Sequence, residues 1–156
     1  MRHNDLWTTN TDSEEQILEA AERILKRRLL RVGKISEPMD ASKYLRAHCA
    51  HLPHEVFGCI FLDTRHNIIA CEDMFRGTID GAEVHPREVA KRALELEAAA
   101  IICFHNHPSG SLLESASDRA VTARLKSALA LLEIRLLDHI LVSAEGAVSL
   151  ASRGWV

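Results

Sequence analysis

Two histidines, a serine and an aspartate that could bind or assist a metal ion lie within fourteen residues, from His105 to Asp118. His105 and His107 are separated by one residue, and alternate side chains of an extended chain point to the same side. Pro108 disfavours helical geometry at His107, which supports an extended conformation. We therefore expect the two imidazoles to meet at one point, at the end of a strand.

Asp118 follows in the first turn of the next predicted helix, and the loop between can return its carboxylate to the two imidazoles. Two histidines and one aspartate would leave the fourth position of a tetrahedral zinc ion for water. This ligand set carries a single negative charge, so the site stays positive and favours ionisation of water near neutral pH. The spacing predicts a zinc site formed by His105, His107 and Asp118.

The same residues have a structural interpretation. Ser115 and Asp118 have the spacing of a capping box, which stabilises a helix N-terminus without any metal. A His-x-His pair by itself is also a weak indicator. The two patterns together favour the metal site, and the two roles can coexist, since Ser115 can cap the helix through its backbone geometry and face the site with its hydroxyl.

The elements that must position these residues follow from apolar periodicity and turn signals. Four helices are predicted. The first begins at the capping-box spacing of Ser13–Gln16, the second is capped by Asp40 and continues through Cys49, the third runs from Pro86 through Leu96, and the fourth covers about Ser115–Leu132. Strands are predicted over Val56–Leu62, Ile68–Phe75, Ala99–Phe104, Ile134–Val142 and Ala147–Leu150, with a loop over Gly77–Ala82. The order α-α-β-β-α-β-α-β-β predicts an α/β (α+β) fold with a single mixed sheet flanked by helices.

The length of 156 residues predicts one domain. We expect residues 1–12 to form a loose arm and residues 13–156 to form the domain, with a helical lead-in over 13–52 and the sheet and metal site over 53–156.

Composition limits the environment and the partners. The longest apolar run, Ala98–Phe104, is far shorter than the roughly 20 residues that span a bilayer, and the N-terminus lacks an apolar signal-peptide core. The four cysteines include no C-x-x-C pair, so we expect reduced thiols in a cytoplasmic protein with no membrane contact. A net charge of −3 gives no general attraction to nucleic acid. The sequence does not decide the oligomeric state.

The spacing from His105-x-His107 to Ser115-x-x-Asp118 resembles the motif of the JAB1/MPN (JAMM) zinc metalloproteins. The segment His105–Gly110 is more similar to the bacterial RadC-like branch, long labelled as DNA repair proteins. The resemblance covers about residues 14–152. Further matching segments are Glu55–Phe57, Phe61–Asp63, Phe75–Thr78, Pro86–Glu88 and Leu137–Ile140.

This resemblance implies a JAB1/MPN-like, cytidine-deaminase-like fold of three layers. It implies that His105, His107 and Asp118 bind the metal, that the Ser115 hydroxyl steadies the tetrahedral intermediate, and that Glu55 is the general base. The sequence alone does not distinguish Glu55 from the other candidate glutamates, Glu72, Glu88 and Glu95.

The function implied is that of a zinc-dependent metallopeptidase that hydrolyses a peptide or isopeptide bond in an unidentified peptide or protein substrate. The alternative is a non-catalytic or DNA-associated binding module with a structural metal. A zinc nucleobase deaminase is more remote, because that class uses a C-x-x-C pair that this sequence lacks.

The sequence departs from the family pattern in two places. Family members usually have an aspartate and two prolines where this chain has Ser111–Glu114, so we expect a less stiff loop whose leucines contact a substrate or partner. Longer members also carry an N-terminal helix-hairpin-helix segment associated with DNA. We expect none here, which weakens the case for DNA binding.

Two further residues have alternative interpretations. We expect Cys103, which shares the face of His105, to be a buried core thiol rather than a metal neighbour. His139 is interpreted as a structural histidine on a strand, with a hydrogen bond to a ligand histidine as the alternative.

Overall fold

The computed structural model describes residues 11–77 and 82–156. The chain begins with helix α1 (Thr11–Val32), followed by a 3-10 turn (Pro38–Ala41) and helix α2 (Ser42–Cys49). Helix α1 starts two residues before its predicted capping box, and the remainder of the predicted arm, residues 1–10, lies outside the described residues.

The prediction that Asp40 caps the second helix is wrong. Asp40 lies inside the 3-10 turn, and its Oδ2 accepts the backbone N–H groups of Ser36 and Glu37 at 2.9 Å each. The carboxylate therefore closes the start of the 3-10 turn, and α2 begins two residues later with no side-chain cap.

Five strands form one mixed sheet in the order β2-β1-β3-β4-β5. The strands are β1 (Val56–Leu62), β2 (Ile68–Arg76), β3 (Ala100–Asn106), β4 (Arg135–Ser143) and β5 (Gly146–Ser149). The pairing of β3 with β4 is parallel and the other three pairings are antiparallel. The predicted single mixed sheet is confirmed.

Helices cover both faces of this sheet. Helices α1 and α2 lie on one face, while α3 (Pro86–Glu95) and α4 (Ala116–Ala130) lie on the other. The three-layer α/β architecture expected from the resemblance is therefore the architecture of the described chain. Of the predicted loop over Gly77–Ala82, residues 78–81 lie outside the described residues.

The alternation of side chains along β3 decides which layer each residue meets. Ile102 and Phe104 pack into the core against α1 and α2, whereas Ile101 and Cys103 pack into the core against α3 and α4. All seven residues of β3 are buried, as expected for the central strand of a sheet covered on both faces. His105 continues the second series, so its imidazole points toward the layer that contains α4.

One glycine lets two strands and a large side chain approach closely. A Cβ at Gly58 would collide with the ring of Phe104 and lie 2.7 Å from the Glu72 carbonyl oxygen. Gly58 in β1 therefore leaves room for the Phe104 ring on the α1/α2 side of the sheet.

Within the described ranges, no helix has both the length and the apolarity needed to cross a membrane.

Candidate metal centre

The end of β3 places the two histidines. His105 is 1% exposed and lies opposite Phe57 of β1 and Leu141 of β4. The backbone N–H of His107 donates to the Val142 carbonyl at 2.9 Å, so pairing with β4 continues one residue beyond the strand. Both imidazoles consequently project from the same side of an extended segment, as the spacing predicts.

The turn after His107 orients its ring. The Gly110 N–H donates to the His107 carbonyl at 3.0 Å, and Gly110 has a φ of 86°, a left-handed conformation that glycine adopts without strain. The Ser111 carbonyl then lies 3.2 Å from Nδ1 of His107. Because a carbonyl can only accept, Nδ1 of His107 carries a proton, which leaves Nε2 to present a lone pair to a metal ion when the ring is neutral.

Ser115 and Asp118 form a complete capping box at the start of α4. The Ser115 Oγ accepts the Asp118 N–H at 3.0 Å, and Oδ2 of Asp118 accepts the Ser115 N–H at 2.8 Å. The same Oδ2 lies 3.0 Å from Nε2 of His107. Helix capping thus fixes the carboxylate in a position where it faces the imidazoles, so the capping and ligand interpretations are compatible in one geometry.

The three candidate ligands converge on one point. Nε2 of His105 lies 3.0 Å from Nε2 of His107 and 3.2 Å from Oδ1 of Asp118. Ligands held at 2.0–2.1 Å from a tetrahedral zinc ion are about 3.3 Å apart, close to these separations. The residues therefore fit a metal ion by donor type and by spacing.

Electrostatic interactions within the group agree with a cation at its centre. Burial acts to raise the pKa of Asp118, but hydrogen bonds from His105 and His107 outweigh it and hold that pKa well below its ordinary value. The Asp118 hydrogen bond in turn raises the pKa of His107. The carboxylate remains ionised at neutral pH, as a metal ligand must be.

Glu55 precedes β1 and lines the same cavity as His105, His107 and Asp118. Burial raises the pKa of Glu55 above its ordinary range; the nearby His105 lowers it, and the Asp118 carboxylate raises it further. Neither histidine neighbours Glu55 in the chain, and the pairing of β1 with β3 brings Glu55 to the side of His105 and His107.

The other candidate glutamates are placed elsewhere. Glu72 accepts two hydrogen bonds from Arg92, at 2.6 and 2.8 Å, and Glu95 contacts the same guanidinium at 3.1 Å. Glu88 is exposed in the first turn of α3. Of the four glutamates, only Glu55 lines the cavity.

The cavity has a volume of about 230 Å³ and is lined by both polar and apolar side chains. The apolar ones include Phe57, Val84 and Val121, and Ser115, which precedes α4, also lines the cavity. A site of this kind can bind an apolar group beside a reacting polar bond.

Comparison with known proteins identifies the family. The profile of the RadC-like JAB domain matches residues 35–155. The chain belongs to the RadC-like JAB domain family. The family resemblance of the motif is therefore confirmed over most of the chain.

Relatives named UPF0758 protein share about half of their aligned residues with this RadC-like chain. The proteins of Ectopseudomonas mendocina and Nitrosococcus oceani are 50% and 52% identical over 91% and 88% of this chain. The protein of Vibrio cholerae is 46% identical over 92% of this chain and 90% of its own length. The chain spans only 63% of the Ectopseudomonas mendocina protein, so the activity of the longer proteins is not carried over directly.

Asn106, the residue between the two histidines, was not singled out from the sequence. Its Oδ1 accepts the Val56 N–H at 2.6 Å, and its Nδ2 donates to the His54 carbonyl at 2.9 Å. These bonds hold the two peptide groups that flank Glu55. The available sequence signal was an amide side chain between two candidate ligand histidines at the end of an apolar strand.

His139 lies within hydrogen-bond distance of a candidate ligand histidine, which is the alternative that the sequence analysis gave for it. Its Nε2 lies 2.7 Å from Nδ1 of the ligand candidate His105, and its Nδ1 lies 2.7 Å from the Thr122 hydroxyl. Burial lowers the pKa of His139 well below its ordinary value, and the charge of His105 lowers it further. Thr122 was missed because only the packing of α4 against β4 brings its hydroxyl to His139.

Cys103 is a fully buried thiol, as expected, and its Sγ lies 4.0 Å from that of Cys59 across the β1–β3 pair. The structure describes all four cysteines as free.

A long-range contact holds the non-proline loop. Arg153, near the C-terminus, donates to the Leu112 carbonyl and to the Glu114 carboxylate, both at 2.7 Å. Leu113 is 73% exposed, which leaves one of the two leucines available for contact. Its predicted contact with a substrate or partner stays a prediction.

Proposed function

We propose that this RadC-like chain is a zinc-dependent hydrolase that cleaves a peptide or isopeptide bond. The observation that carries the proposal is the position of Glu55, which shares one cavity with three convergent ligand groups. Family membership alone does not establish this activity.

Each residue has a distinct part in the proposed reaction. His105, His107 and Asp118 would hold the ion, which when bound would polarise the scissile carbonyl and lower the pKa of an attacking water. Glu55 would accept a proton from that water and deliver it to the leaving amine. The Ser115 hydroxyl would donate to the oxyanion.

The environment of Glu55 suits proton transfer. Its pKa is raised by burial, which brings it closer to neutral pH, where a carboxylate can both accept and release a proton. Among the described residues, no side chain donates a hydrogen bond to this carboxylate, so it is available to a substrate or water. A purely structural metal site would not require such a group.

The competing possibility is a binding module in which the metal has only a structural role, with or without DNA as a partner. It predicts that replacement of Glu55 changes nothing measurable, because Glu55 is not among the three convergent ligand groups. Replacement of Glu55 therefore distinguishes the hydrolase from the binding module.

The test compares Glu55→Gln with Glu88→Gln, an exposed glutamate outside the cavity. Each purified protein is loaded with zinc, its metal content is measured, and it is screened against fluorogenic peptide and isopeptide substrates. We expect both variants to retain zinc, and Glu55→Gln to lose about 10²- to 10⁴-fold in rate while Glu88→Gln keeps the wild-type rate. An unchanged rate in Glu55→Gln would contradict the proposed base.

A further inference from the structure

A continuous chain of hydrogen bonds runs from α4 to the ligand candidate His105. The Thr122 hydroxyl lies 2.7 Å from the backbone carbonyl of Asp118 and 2.7 Å from Nδ1 of His139. Nε2 of His139 lies 2.7 Å from Nδ1 of His105. Thr122 is fully buried, and His105 and His139 are each 1% exposed, so water does not compete for these bonds.

The direction of the protons follows from the first member of this chain. The Asp118 carbonyl can only accept, so the single hydroxyl proton of Thr122 points to it. The Thr122 oxygen must then accept from Nδ1–H of His139. His139 is a neutral ring with one N–H group, because it is buried and no described carboxylate bonds to its ring.

The same reasoning continues to the metal centre. With its proton on Nδ1, His139 offers the lone pair of Nε2 and accepts the Nδ1–H of His105. Nε2 of His105 is then unprotonated and faces His107 and Asp118. All polar atoms from the Asp118 carbonyl to Nδ1 of His105 are paired in this one arrangement, and in the neutral ring Nε2 of His105 keeps its lone pair for a metal ion.

We propose that Thr122 and His139 are positioning residues that fix His105 in the tautomer able to bind a metal. If the hydrogen bonds pointed in the opposite direction, Thr122 would donate to His139. The Thr122 oxygen would then face the Asp118 carbonyl at 2.7 Å with no proton between them. His139 would then donate to His105 and place a proton on Nε2 of His105, where it would block the metal. The Asp118 carbonyl therefore sets the tautomer of His105 through two intervening residues, Thr122 and His139.

This arrangement also affects the charge of the centre. Ligand histidines often donate to a carboxylate, which adds a negative charge next to the first set of ligands. Here the acceptor is a neutral imidazole, so Asp118 contributes the only negative charge among the three ligands and their partner His139. The centre keeps more positive charge for polarising a bound group.

The inference rests on the metal site of the proposed function, but its first test needs neither metal nor substrate. Two-dimensional ¹H–¹⁵N spectra of the metal-free protein are recorded at a pH well above the ordinary imidazole pKa of about 6.5. We expect His105 to be protonated on Nδ1 in the wild type. Protonation of His105 on Nε2 would overturn the proposal.

The second test compares Thr122→Val, which keeps the shape but removes the hydroxyl, with Thr122→Ser, which keeps the hydroxyl. Zinc affinity is measured by chelator competition at a temperature where each protein is folded. We expect Thr122→Val to show both His105 tautomers and to bind zinc about 10- to 100-fold more weakly, and Thr122→Ser to match the wild type. Wild-type tautomer and affinity in Thr122→Val would refute the positioning role, whatever the outcome of the hydrolysis assay.

Discussion

Replacement of Asn106 by leucine tests how the candidate base is held in place. Leucine has the branching and the number of side-chain heavy atoms of asparagine, with bulkier methyl groups, but cannot bond to the Val56 N–H or the His54 carbonyl. Both groups belong to the peptide units on either side of Glu55. The substitution should therefore loosen the segment that carries Glu55 while the core around β3 remains filled.

The magnitude follows from the burial of each lost partner. The bond to the Val56 N–H is buried, and an unpaired buried donor costs about 1–3 kcal/mol. The bond to the His54 carbonyl is only partly buried, so water can replace some of it and its loss costs about 1 kcal/mol. We expect Asn106→Leu to lower the free energy of unfolding by about 2–4 kcal/mol.

Urea denaturation measures this loss of stability. Metal content and the rate of hydrolysis are measured well below the unfolding midpoint, so that an effect of Glu55 misplacement is distinguished from an effect of unfolding. We expect zinc to be retained, because Asn106 donates nothing to the metal centre, and the rate to fall by about 100-fold, as a 1 Å misplacement of a catalytic group can cause.

The control for this experiment is Asn67→Leu, which removes a 2.8 Å bond to Asp63 in a turn away from the cavity. It should cost stability without the loss of rate. Wild-type stability in Asn106→Leu would refute the hydrogen-bond argument.

Two further predictions concern pH and metal affinity. His48 contacts Glu22 and Asp73 at 2.5 and 2.7 Å, and the hydrogen bond with Asp73 raises the pKa of His48 above its ordinary 6.5. The contribution of His48 to stability is therefore complete below pH 6.5 and is lost as the pH rises through the raised pKa. Thermal unfolding should show a difference between wild type and His48→Gln that shrinks with rising pH; a constant difference would contradict the ion-pair argument. Asp118→Asn should weaken zinc binding more than Ser115→Ala, because only Asp118 supplies ligand charge. Equal zinc affinities of the wild type and Asp118→Asn in a chelator titration would exclude Asp118 as a ligand.

The sequence by itself determined the features that depend on local chain geometry. The two-residue spacing of His105 and His107 puts both imidazoles on one side of any extended segment. The spacing of Ser115 and Asp118 fixes a capping box at any helix start, and this box orients the carboxylate. Strand and helix order followed from apolar periodicity, since each element must bury one or both faces. The Asp40 cap failed because a 3-10 turn satisfied the same carboxylate first.

Only the tertiary structure decided which distant residues join this local group. Glu55 reaches the cavity because β1 pairs with β3, which places Phe57 opposite His105, 48 positions along the chain, and no local pattern encodes that contact. Asn106 and His139 acquire their partners through neighbouring strands, and Thr122 through the packing of α4 on the sheet. Hydrogen-bond partners inside a core depend on register and packing across elements, because a shift of one residue moves every side chain to the opposite face.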